Sequence, residues 1–111
     1  MLYNKYLEHN YNFINRIKKY CEASFLLCAE SGKIDMLKFF VEKKVDIHVE
    51  NDKALYIACK NKHYNIVRYL ISIEEDVNKW NVYTLYRIRN NADDLETYDD
   101  IVNLINKRND L

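Results

Sequence analysis

Gly32-Lys33-Ile34-Asp35-Met36-Leu37-Lys38-Phe39-Phe40-Val41 can be laid over Lys62-His63-Tyr64-Asn65-Ile66-Val67-Arg68-Tyr69-Leu70-Ile71 at an offset of 30 residues. The offset persists on both sides, pairing Phe25 with Leu55 and Leu85, Ala29 with Cys59, Asp46 with Asp76, and Ile47 with Val77. A fixed period of this size implies one supersecondary unit stacked on copies of itself, because a single unit cannot bury its own apolar face. Stacked units build extended surfaces and rarely build catalytic pockets.

Within the better-formed copy, Asn51-Asp52 precedes Ala54-Leu55-Tyr56-Ile57-Ala58-Cys59. Asp52 is of the type that accepts the free amides of a helix start. A short first helix to about Asn61 is expected, then a turn at Lys62-His63. Ile66, Val67, Leu70 and Ile71 follow at the spacing of a second amphipathic helix, with Arg68 and Ser72 outward. Glu74-Glu75-Asp76-Val77-Asn78 then breaks the period. One period earlier the order is the same: Ser24 to Glu30, a turn at Ser31-Gly32-Lys33, Asp35 to Lys43, then Val45-Asp46-Ile47-His48.

These residues resemble the ankyrin repeat. The motif T-P-L-H-x-A, with A-x-x-G-H, I/V-V-x-x-L-L and G-A-D-V-N after it, is matched by Ala54 to Cys59, Lys62-His63, Ile66 to Ile71 and Glu75-Asp76-Val77-Asn78. The 30-residue period and Asn-Asp-x-Ala-Leu are similar to shortened ankyrin repeats of giant DNA viruses. Abundant Asn, Lys, Ile and Tyr, all with A/T-rich codons, agree with such a source. The departures are informative too. Thr-Pro becomes Lys53-Ala54, or Ala23-Ser24 one copy earlier, and the glycine that ends the second helix becomes Lys44 or Glu74. Those two must either adopt a costly left-handed conformation or end the helix differently, so modest stability is expected. The short period implies that projecting β-hairpin fingers are trimmed to tight turns.

Outside the two clear copies the pattern weakens. Tyr3, Leu7, Ile14, Ile17 and Tyr20/Cys21 make a helical stripe read as an N-terminal cap of one or two helices. After Leu85, Arg89 falls where Ala29 and Cys59 were expected to be buried, and Ile101, Val102 and Ile105 restore the second-helix stripe five residues late. The expected architecture is an all-α, ankyrin-type helix-turn-helix solenoid with N- and C-terminal helical caps. It forms a single domain, 1–111: an N-terminal cap 1–22, repeats 23–52 and 53–82, and a divergent C-terminal capping repeat 83–111.

Composition bounds the chemistry. Of 111 residues, 17 are Lys or Arg and 17 Asp or Glu, so no global field recruits nucleic acid or an anionic membrane. One Gly and no Pro leave no phosphate-cradling loop. No apolar run approaches the roughly 20 residues that span a bilayer, and no signal peptide is evident at the start. An intracellular, cytoplasmic protein is expected, in the host cytoplasm if the source is viral. Cys21, Cys28 and Cys59 lack CxxC spacing, and three free thiols are expected.

No catalytic set, cofactor motif or metal site emerges. His63 stands where the family has a turn histidine bonded to backbone, and His9 and His48 lack a second ligand at helical spacing. Asp93, Asp94, Glu96, Asp99 and Asp100 lack the glycine of a calcium loop and read as a solvated cap surface. The resemblance therefore implies a non-catalytic protein-protein interaction module binding a host or viral protein, with no nucleic acid or membrane partner. A monomer is expected, and a self-associating structural protein is the alternative. Such families use connector tips and the inner face of the first helices. The candidate partner-binding residues are His48, Glu50, Asn51 and Lys53 in one connector, Asn78, Lys79, Trp80 and Asn81 in the next, and Ile57 and Arg87, with Leu27, on the first helices. For Trp80 and Tyr83, both aromatic residues of the second connector, two readings stand open, packing onto the next unit or anchoring a partner.

Overall fold

The computed structural model describes residues 2–109, with side chains from residue 11 onward. Six helices follow in order: α1 Leu2–Ser31, α2 Ile34–Glu42, α3 Val49–Lys60, α4 Tyr64–Ile73, α5 Val82–Asn91 and α6 Leu95–Asn109. A single 3₁₀ turn, Val77–Lys79, lies between α4 and α5, and no strand occurs among the described residues. The expected all-α helical stack is the observed fold.

The period is visible in the turns. Gly32 at φ 76° and Lys62 at φ 64° end the first helices in the left-handed conformation, and the next amides, Lys33 and His63, donate to the carbonyls of Cys28 and Ala58 at 2.9 and 2.8 Å. The single glycine is required for a second reason. A Cβ on Gly32 would lie 2.7 Å from the His63 ring. That ring packs on the preceding turn, with Nε2 3.0 Å from the Glu30 carbonyl, which also accepts from Asn61 Nδ2. His63 thus holds one repeat to the previous one, the backbone-bonding part expected of it.

The first helices α1, α3 and α5 pack side by side, each backed by its second helix. Phe25, Leu55 and Leu85 are fully buried at 30-residue intervals, joined by Ala29, Leu37, Ala58, Ile66, Val67 and Leu70. Cys59, expected in the core, is only half-buried, as is Arg89 at the equivalent position. At the two second-helix ends that lack glycine, both anticipated outcomes occur. Lys44 adopts φ 67°, whereas Glu74 leaves the helix extended, at φ −96° and ψ 112°.

Two expectations are corrected at the ends of the chain. The N-terminal segment 1–22 is not a separate cap, because α1 runs unbroken from Leu2 through the first helix of the first repeat. No Gly or Pro interrupts it before Gly32, so nothing turns the chain back onto the stack. Phe13, Ile14, Ile17 and Tyr20 are consequently exposed; the side chains of Tyr3, Leu7 and His9 lie outside the described ones. At the other end, α6 begins 31 residues after α4, at Leu95 against Tyr64, so the delay is one residue rather than five. Thr97 is fully buried near the start of α6, made tolerable because its Oγ1 donates to Asp94 Oδ2 at 2.8 Å. Ile101, Leu104 and Ile105 are buried beyond it, and α6 packs on both α5 and α4.

Candidate functional site

The two connectors share a local device and differ in what they bury. Asp46 Oδ1 accepts the His48 amide at 2.9 Å, and 30 residues on Asp76 Oδ1 accepts the Asn78 amide at 3.0 Å. Beyond that turn, Glu50, Asn51 and Asp52 all have left-handed backbone, φ 54°, 57° and 65°, so the regular part of α3 starts only at Lys53. Asp52 therefore does not cap its own helix as expected. It is buried and accepts from the Asn81 amide at 2.5 Å, fixing the next connector 29 residues away. Asn81 supplies the true cap one period later, accepting the Thr84 amide at 3.0 Å.

His48 ties this arrangement together. Its Nδ1 lies 2.5 Å from Asp52 Oδ1 and its Nε2 bonds Glu74 Oε1. With a carboxylate on each ring nitrogen, the doubly protonated imidazolium is the form that donates to both. Burial alone would lower the His48 pKa, but the bonds to Glu74 and Asp52 outweigh it and hold it above its ordinary value. Burial of Glu74 opposes its ionisation, yet His48 and the Asp76 amide bring its carboxyl below the usual range. Burial pushes the Asp52 carboxyl up, against the Asn81 amide and His48.

The His48 ring meets the edge of Trp80 at 4.7 Å between centroids and 77° between planes. Trp80 is only 1 % exposed, and its Nε1 has no acceptor among the described residues. Its carbonyl, with that of Asn78, accepts from Arg108 Nη1 of α6 at 3.0 and 2.9 Å. Of the two readings of Trp80, packing is the one observed, and His48 is half-buried against it.

What remains at the surface is a groove of about 480 Å³ between the connectors, lined by Glu50, Asn51, Lys53, Tyr56, Asn81, Tyr83, Thr84 and Arg87. The Arg87 guanidinium stacks over the Tyr56 ring at 4.0 Å, Thr84 Oγ1 donates to the Asn51 carbonyl at 2.6 Å, and Lys53 pairs with Glu50 at 3.8 Å. Tyr83 stands at the rim, 79 % exposed. A hollow of similar size along α1, from Asn12 to Glu22, is lined by residues of that helix alone.

The family model of ankyrin repeats (three copies) matches residues 4–81 of the chain. The chain belongs to the ankyrin-repeat family. Comparison with curated proteins and with solved structures gives no match. Ankyrin repeats are modules for protein-protein interaction, and the family is generally non-catalytic.

Five of the ten candidate residues line this ankyrin groove: Glu50, Asn51, Lys53, Asn81 and Arg87. Ile57 is half-buried beside it, and Asn78 and Lys79 are exposed on the 3₁₀ turn. Tyr83, with the same two readings open as Trp80, is the exposed one of that pair. Tyr56 and Thr84 were missed: the half-buried Tyr56 has a spacing that also fits core, and Thr84 is a small polar residue at the end of the connector. The acidic run has structural partners: Asp93 accepts from Tyr64 Oη at 2.8 Å and pairs with Lys62 at 3.6 Å, and Glu96 pairs with Arg68 at 3.7 Å. The Asp93 contact pushes the Tyr64 phenol up to about 12. All three cysteines are free thiols. No helix among the described residues is long and apolar enough to cross a membrane.

Proposed function

We propose that this ankyrin-repeat chain is a non-catalytic adaptor that seats a segment of another protein in the groove between its two connectors. The observation that carries the reading is Tyr83, 79 % exposed, above an Arg87–Tyr56 stack already ordered at 4.0 Å. Tyrosine and arginine are enriched among residues that dominate binding energy, and a stacked guanidinium loses little further freedom when a partner arrives. Glu50, Asn51, Lys53 and Asn81 supply the polar rim, with Ile57, Asn78 and Lys79 flanking it. His48 and Trp80 act from below, holding the connectors in register.

The single domain 1–111 works as one body, with repeats 23–52 and 53–82 and the capping unit 83–111 providing the groove walls. The A/T-codon composition supports a large-virus source, and with it a host or viral partner met in the host cytoplasm. The test is affinity for a partner isolated with the intact chain. Tyr83→Ala and Arg87→Ala should each weaken binding by about 2 kcal/mol, some thirtyfold, without changing the melting temperature. Lys38→Glu and Arg68→Glu, on the second helices, should leave it unchanged. Unaltered affinity in both groove variants, with the fold intact, would place the contact elsewhere.

A further inference from the structure

Tyr56 lines two hollows, the groove between the connectors and a smaller one of about 190 Å³ toward the far end of α3, walled also by Cys59, Lys60, Ile88 and Asn91. Together they form one trough between α3 and α5, with Tyr56 at its middle. Lys53, Tyr56 and Lys60 stand at the spacing of one helix face, and Arg87 reaches across from α5 to stack on the ring at 4.0 Å. The charges along this trough are unequal. Lys53, Lys60, Lys62 and Arg87 line it against two acids, Glu50 and Asp93. Glu50 pairs with Lys53 at 3.8 Å at one end, and Asp93 with Lys62 at 3.6 Å at the other. Lys60 and Arg87 are left over, with no carboxylate within ion-pair distance among the described residues.

We propose, resting on the reading of the groove as the contact surface, that this trough binds a short acidic segment of the partner, extended along α3 and α5 with one of its carboxylates on Arg87. Three observations select that occupant. Stacking on Tyr56 uses one face of the guanidinium and leaves its in-plane N–H donors; among the described residues Arg87 enters hydrogen bonds only through its carbonyl. The free fork matches both oxygens of a carboxylate. The uncompensated Lys60 and Arg87 complement acid and disfavour a basic segment. Glu50 and Asp93 bound the positive stretch, so a long polyanion such as a nucleic-acid strand would run its phosphates past an acid at either end. From Lys53 to Lys60 the helix rises about 10 Å, which about three residues of an extended chain cover.

The two unpaired cations are not equivalent. An exposed ion pair contributes little when both side chains must be immobilised to make it. Arg87 is already held against Tyr56, so it loses less freedom on binding, and Tyr83, one helical turn before it on α5, stands beside the contact and shields it from water. Lys60 is an exposed ammonium on a flexible stem. Arg87 therefore fixes the carboxylate, and Lys60 adds only its field.

Chemical-shift titration of the isotope-labelled full chain with the blocked peptide acetyl-Gly-Glu-Glu-Gly-amide, and with acetyl-Gly-Gln-Gln-Gly-amide as its neutral match, tests this. The acidic peptide should move the Arg87 Nε–H signal and the backbone amides of Tyr56 and Tyr83 saturably, and the neutral one should bind about tenfold more weakly. Raising salt from about 0.01 M to about 1 M should weaken only the acidic peptide, because the Debye length contracts from about 30 Å to about 3 Å. Arg87→Gln should cost about tenfold, Arg87→Lys should restore only part because an ammonium lacks the fork, and Lys60→Gln should cost about twofold, all with unchanged helix content. Equal binding of the two peptides in the trough, or an acidic peptide indifferent to Arg87→Gln, would overturn the acidic occupant while leaving the groove as the contact surface. Shifts confined to Arg16, Lys18 and Lys19 of α1, or none with either peptide, would overturn it as well, and the groove reading would still answer to Tyr83→Ala against the isolated partner. So would single-stranded oligothymidylate that moves the same signals at lower concentration than the acidic peptide.

Discussion

The two ends of the stack are built on opposite terms. At the C-terminal end α6 lays Ile101, Leu104 and Ile105 into the core and turns Glu96, Asp99 and Asn103 outward. At the N-terminal end no described helix covers the outer side of α2. Met36 is 57 % exposed, whereas Ile66, one period later in the same place on its helix, is fully buried. The same position is core or surface according to whether a neighbour is present, so burial in this fold is a property of stacking. The contrast extends to α1, which projects an apolar stripe where α6 presents acids.

The largest effect should come from between the ends, where the connectors are clamped. Trp80→Ala should destabilise by about 3–5 kcal/mol in denaturant unfolding, the cost of a large cavity in a close-packed site. Trp80→Phe should cost less, because it also removes an indole N–H left without an acceptor. A Trp80→Ala chain of unchanged stability would mean the connectors are not held from below and would erase the distinction between sealed and open regions.

A smaller effect should appear with pH. The His48 pKa is raised in the folded chain, so its contribution is complete below the unfolded value of about 6.5 and is lost as pH rises through the folded value. Stability measured from about pH 6 upward should fall across that window. His48→Gln should flatten the fall while lowering stability at the acid end. Stability constant or rising over the same range in the natural sequence would contradict an ionic clamp at His48.

The period made most of the fold legible, because Phe25, Leu55 and Leu85 needed only one offset to be placed in one buried row. The one glycine and the turn histidine were legible as turn residues, though not that Gly32 exists partly to admit the His63 ring of the next repeat. The register of α6 was hidden by Thr97, a polar side chain buried where the pattern asks for an apolar one, satisfied by Asp94 three residues before it. The fate of the α1 stripe was not readable in principle. Periodicity shows that a face is apolar and says nothing about whether anything lies against it. Half of the groove residues were found from connector position alone. The His48, Asp52, Glu74 and Trp80 cluster was missed because it joins residues up to 32 apart, a distance at which sequence spacing carries no contact information.

The central claim, that stacking decides what is core, is tested most directly by truncating one position in two repeats. Unfolding free energies of Ile66→Ala and Met36→Ala should differ sharply. The first should lose about 2–5 kcal/mol, as a cavity between stacked repeats, and the second less than about 1 kcal/mol, as a trimmed surface side chain. Equal losses at the two positions would contradict the account, since they would mean that the N-terminal repeat is as fully covered as the one behind it.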